Sequence, residues 1–152
     1  FREAHGMGRD PQPGLSMLHV LQGKPDAALA SLRATLAERR DRLARAKLLP
    51  TFVEVALAAG AREDARASAT EIESIAEVFK SPAHHAAAEF ARGSVLLADG
   101  DAPGARASLR RAVQHWQEID LPYEAARSRM RLSEAYDAEG DGFFDKMKTF
   151  FE

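Results

Sequence analysis

Four glycines divide this chain at near-equal intervals. Gly23, Gly60, Gly100 and Gly140 each follow a segment with apolar residues at helical spacing and precede a polar helix start, and they stand 37, 40 and 40 residues apart. A period of roughly 34 to 47 residues is the mark of stacked helical hairpins, because a single hairpin cannot bury its apolar face and shares a core with its neighbours. The glycine has a backbone reason: a tight turn between helices calls for φ > 0, which a residue without Cβ adopts at little cost. The offsets repeat as well. Five residues after the first three glycines stand Ala28, Ala65 and Ala105, and nine after stand Leu32, Ala69 and Leu109. Gly93 lies seven before Gly100 and Ala112 twelve after it. Small residues at such positions let helices approach closely.

Composition agrees with helices. Alanine accounts for 30 of 152 residues and arginine for 16 against 5 lysines, a bias toward good helix formers that also fits a bacterial genome of high GC content. Period-2 alternation is not sustained anywhere, so strands are not expected. The apolar spacing predicts helices over about 13–22, 25–40, 43–59, 61–79, 82–98, 102–119 and 122–139. Pro25 and Ser81-Pro82 open two of them, Pro50 should kink or break a third, and Gly140 should end the last.

These positions resemble the tetratricopeptide repeat: Gly93, Leu96, Gly100, Ala105, Leu109 and Ala112 match its alternation of small and large residues, and Leu132, Ser133, Tyr136 and Gly140 match the first half of a further unit. The resemblance implies an all-α fold of tetratricopeptide-like antiparallel hairpins stacked as a right-handed solenoid. The repeat domain is expected over residues 1–141, with hairpins at about 13–40, 43–79, 82–119 and 122–141 onward. The 43–79 hairpin fits less well, with Val53 where a small residue belongs. Residues 142–152 depart from the pattern: Asp145 replaces the alanine, and Phe143, Phe144, Phe150 and Phe151 are half of all phenylalanines. We expect this stretch either to cap Leu132, Ala135 and Tyr136 or to join another molecule, a route to a homodimer through the C-terminal tail, or else to be foreign to the repeat.

Three strings carry a closer resemblance. Arg9 to Leu15 (RDPQPGL), Ala46 to Pro50 (AKLLP) and Leu121 to Arg127 (LPYEAAR), the last continued by Leu132 to Gly140 (LSEAYDAEG), are similar in order and spacing to the helical-repeat region preceding the DNA-binding domain of large LuxR-type transcriptional regulators. The resemblance covers about residues 9–141. It implies a cytoplasmic, non-enzymatic interaction or sensing module that relays an effector or partner signal to a helix-turn-helix. A chain beginning at Phe1 instead of Met is expected to be a piece of such a protein. Partners would be a protein or peptide, neighbouring modules of the same regulator, or a small-molecule effector. A repeat adaptor unrelated to transcription is the alternative.

Other chemistry is weakly supported. A net charge of -2 gives no basic excess for nucleic acid, no run of about 18 apolar residues suits a membrane, and with no cysteine there is no thiolate chemistry. There is no GxxxxGK[ST] phosphate loop. No cofactor is implied. Asp137 to Asp145 imitates the start of a calcium loop, but Lys148 stands where a bidentate Glu is required. His84 and His85 diverge on a helix, and no serine or carboxylate pair has a catalytic context. Arg106, Arg110, Arg111, Arg127, Arg129 and Arg131 form a modest basic cluster, read as solvated helix faces, and Trp116 reads as a packing anchor. The repeat family binds with its concave face. Carried over, that face is Lys47, Glu54 and Leu57 from one hairpin, Phe90, Ser94 and Leu97 from the next, and Arg127, Met130, Glu134 and Asp137 from the last, a mixed surface suited to a helix or peptide.

Overall fold

The computed structural model describes residues 22–151, and all regular structure among them is helical. The elements are α1 (Pro25–Glu38), α2 (Arg42–Ala58), α3 (Arg62–Phe79), α4 (Pro82–Ala98), α5 (Ala102–Glu118) and α6 (Pro122–Phe151). The helix expected at 13–22 lies outside the described residues. Contacts divide the chain into two compact units, 1–75 and 76–152, the division falling within α3.

The helices end where the backbone turns left-handed. Gly60, Gly100 and Asp120 have φ of 77°, 87° and 56°. At each, the next residue donates its N–H five residues back: Ala61 to Ala56 O at 2.8 Å, Asp101 to Leu96 O at 2.9 Å, Leu121 to Trp116 O at 2.9 Å. The left-handed residue itself donates three back, to Leu57 O, Leu97 O and Gln117 O. This pair of bonds is the Schellman motif, which satisfies carbonyls that a helix end leaves open. Lys80, with φ of 50°, closes α3 more simply, donating to Ala76 O at 2.8 Å. Left-handed residues thus recur every 20 positions from Gly60 to Asp120. Asp41 and Asp101 cap the starts of α2 and α5, each carboxylate accepting from the N–H three residues on at 3.0 Å. Ser81 makes no such bond at the start of α4, contrary to the sequence expectation, and Pro82 alone opens that helix.

In the first unit α1 packs on α2. Ala28, Leu29, Leu32 and Leu36 of α1 are buried, as are Leu48, Leu49, Phe52, Val53, Val55 and Ala56 of α2. The helix runs through Pro50 without a break, so of the two expected outcomes the break does not occur. The ring removes one N–H from the ladder, but burial of the apolar residues on both sides of it holds the helix together. No left-handed residue closes α1. Instead the Arg45 guanidinium donates to Leu36 O at 2.7 Å and Arg39 O at 3.2 Å, while meeting both oxygens of Glu71 on α3 at 2.6 and 3.0 Å. One side chain therefore caps α1 and ties α2 to α3. The hydrogen bond that Arg45 donates to Glu71 raises the Arg45 pKa against the opposing effect of burial. Arg33 and Asp64 form a second, exposed link from α1 to α3.

In the second unit α5 lies between α4 and α6, packing on both, and α4 touches α6 only lightly. Consecutive helices joined by two- or three-residue turns and packed side by side are consistent with a helical repeat. The core gathers Ala86 and Phe90 from α4, Ala105, Leu109, Ala112 and Trp116 from α5, and Ala125 and Ala135 from α6. The burial expected for Ala28, Leu32, Ala105, Leu109 and Ala112 holds, each being fully buried. Gly93 explains the small-residue pattern: a Cβ there would lie 2.6 Å from Leu109 Cγ and 3.3 Å from Ala105 O. Gly140 differs. It lies inside α6 with open space around it, so the expected helix end and turn at this glycine are absent.

Two results follow. Gly93→Ala should destabilise the fold by ~1 kcal/mol or more, overpacking against Leu109 outweighing the gain in helix propensity, whereas Gly140→Ala should stabilise it by ~0.5–1 kcal/mol. Opposite shifts in urea midpoint for one chemical change would check this. Arg45→Met should cost about 2 kcal/mol, since it leaves two helix-end carbonyls and a half-buried carboxylate without their donor. Equilibrium unfolding of the variant and of Glu71→Gln measures it.

Candidate interaction surface

The ten positions carried over from the repeat family fare unequally. In the first unit Lys47 is exposed, and Glu54 and Leu57 are half-buried. In the second, Phe90 and Ser94 are buried and Leu97 is half-buried. Phe90 belongs to the core. Ser94 donates its hydroxyl to Phe90 O of its own helix at 2.9 Å. These two support the surface from beneath and do not line it, a correction to the expected groove. The cause is α6: Arg127 lays its guanidinium 5.3 Å from the Phe90 ring centre.

The α6 positions do form one face. Arg127, Met130, Glu134 and Asp137 follow at intervals of three and four, which keeps them on one side of a helix. Met130 is 70% exposed, and Glu134 and Asp137 are also exposed. Tyr123, four residues before Arg127 and likewise 70% exposed, extends the strip. The Arg127 guanidinium lies 6.0 Å from its ring centre as well. Arg127 is thus held between a buried phenylalanine and an exposed tyrosine. Burial depresses its pKa, and Arg131 adds to the depression. Sequence reasoning missed Tyr123, although its i, i+4 spacing from Arg127 was the available signal.

The basic cluster is engaged within the unit. Arg106 meets Glu139 at 3.2 Å, and Arg106 and Arg110 lie 5.8 and 5.5 Å from the Tyr136 ring centre. Arg110 also donates to the Tyr136 hydroxyl. Arg111 meets Glu89 at 3.0 Å, and Arg131 meets Glu134 at 3.3 Å. Five of the six arginines therefore have named contacts in the protein: Arg106, Arg110, Arg111 and Arg127 link helices, and Arg131 is paired within α6. Trp116 is buried in the core, as a packing anchor should be. Residues 137–145 are continuous helix, so the calcium-loop imitation does not fold as a loop. No group of three or more His, Cys, Asp or Glu among the described residues is placed to hold a metal ion. No helix among them is long and apolar enough to cross a membrane.

Comparison with protein-family models, with curated proteins and with solved structures gave no match.

Arg127 offers a direct check of the strip's architecture. Arg127→Lys should lose about 0.5–1 kcal/mol, because an ammonium keeps the charge but not the planar stacking between two rings. Urea unfolding, with loss of order at Tyr123 followed by NMR, would read it.

Proposed function

We propose that this chain is a non-enzymatic, tetratricopeptide-like interaction and sensing module of a cytoplasmic LuxR-type transcriptional regulator. In this reading its hairpins stack as a right-handed solenoid, and the module passes a partner or effector signal to a DNA-binding domain elsewhere in the protein. The ordered strings RDPQPGL, AKLLP and LPYEAAR support the family, the last two lying in α2 and at the start of α6. One observation carries the interaction role: the strip on α6 formed by exposed Tyr123, Met130, Glu134 and Asp137 around half-buried Arg127. It combines an aromatic ring, a flexible thioether and two carboxylates. Such a surface suits an amphipathic peptide helix that sets apolar side chains against Tyr123 and Met130 and basic ones near Glu134 and Asp137.

Sequencing the gene downstream of codon 152 tests the regulator assignment. A helix-turn-helix there supports it, and its absence leaves a repeat adaptor unrelated to transcription. In the intact regulator, Met130→Glu should reduce signal-dependent transcription about fivefold or more while DNA affinity without the signal is unchanged, the expected size of a coupling between sites. A reporter assay beside a DNA-binding titration would check this. Equal loss in both, or in neither, would refute the strip's role.

A further inference from the structure

We propose that the C-terminal part of α6, residues 136–151, pairs antiparallel with the same segment of a second copy of this chain. At about 100° per residue, Tyr136, Phe143, Phe144, Met147, Phe150 and Phe151 fall within one arc roughly 120° wide. Asp141, Asp145, Lys146, Lys148 and Thr149 lie outside it. The arc overlaps the face that packs into the core through Ala125, Leu132 and Ala135, its centre lying roughly 70° around the helix. Arg106 and Arg110 of α5 reach Tyr136, but α6 outlasts α5 and the rest of the arc is uncovered: Phe143, Phe144, Phe150 and Phe151 are 59, 70, 80 and 76% exposed, and Met147 is 38% exposed. Because α6 is continuous, these side chains cannot fold back onto Leu132, Ala135 and Tyr136 of the same helix, and the expected capping role is ruled out.

Size and charge select the occupant. Four phenylalanines and a methionine so exposed present on the order of 500 Å² of apolar surface per copy. Two copies would bury about 1,000 Å², the lower limit for a specific interface. A patch this large is uncommon on a chain without a partner. The polar flanks change sign along the segment: Asp137, Glu139 and Asp141 come first, Lys146 and Lys148 later. An antiparallel pair centred near residue 145 brings Asp141 beside the partner's Lys148. A parallel pair would set like charges side by side. The same register places Phe150 over the partner's Gly140, whose Cβ-less face has open space, and Phe143 against the partner's Met147. Self-complementarity under a two-fold axis is what an isologous dimer requires.

The test uses the whole chain. Sedimentation equilibrium at tens of micromolar should find a dimer that weakens with salt. Phe143→Glu/Phe150→Glu should raise the dissociation constant about 100-fold or more with the near-UV signal of the buried Trp116 unchanged. Lys148→Glu should weaken association, and mixing that variant with Asp141→Lys should restore it. Because the chain has no cysteine, Asp141→Cys and Lys148→Cys chains can report orientation: a short bis-maleimide should link them only when mixed. A monomeric parent would overturn the proposal. So would cross-linking of either cysteine chain with itself, which signals parallel pairing, or a monomer that binds lipid vesicles through these phenylalanines.

Discussion

The left-handed residue that ends each helix from α2 to α5 sets what lies downstream. A residue at positive φ lets the chain reverse within two or three positions while N–H groups at the turn return to the last helical carbonyls. With Gly60, Lys80, Gly100 and Asp120 in that role, the helices between them are held to 17 or 18 residues. Equal lengths let neighbouring helices lie side by side along their whole extent. Within the second unit that alignment is what brings Gly93 opposite Leu109. Where the device is missing, at the end of α1, a side chain from the next helix takes over: Arg45 supplies the donors that a Schellman turn would have provided.

Much of this was legible, and the limits have physical causes. Gly60 and Gly100 announced themselves because glycine is the residue that reaches φ > 0 without strain. Lys80 and Asp120 do the same work invisibly, since neither residue type signals a left-handed conformation strongly enough to be read from one sequence. Gly140 misled for the converse reason: glycine marks a turn only where the chain turns, and here it sits within a helix facing open space. The Arg45 link was unreadable because its partner Glu71 is 26 residues away and no local pattern connects them. Phe90 and Ser94 were taken from the family's groove positions, but which side of α4 is open depends on where α6 lays Arg127.

Val53 is a subtler case. At the position seven before the turn glycine the second repeat has Gly93 and the first has Val53, which made the first look irregular. Nine after the glycine the order is reversed, with Leu109 in the second repeat and Ala69 in the first. All four residues are buried. Summed bulk at the two positions is kept while its distribution is exchanged, the kind of change a packed core tolerates when volume is conserved. A repeat judged by residue identity at each site would discard this unit. Judged by paired volumes, it belongs.

α6 presents three faces of different chemistry, and it outlasts its neighbours. At 30 residues it runs well past the 17 of α5, so only its first half has an intramolecular partner. That half buries Ala125, Ser128 and Ala135 toward the core and leaves Tyr123 to Asp137 as a polar-aromatic strip. Beyond Gly142 every described side chain is exposed, the apolar arc included. A helix stabilised by packing alone would fray at this point, since an isolated segment of this length is marginal in water. Burial of the phenylalanine arc in a second copy would supply the tertiary packing the segment lacks. The same dimer would leave the strip on α6 uncovered, because the two faces are separated around the helix by roughly a third of a turn. Pairing at the tail and recognition along the strip are therefore compatible on one helix. A rigid α6 would hold the two strips of a dimer at a fixed separation, so that a partner with two binding segments could engage both at once and gain avidity without any new contact.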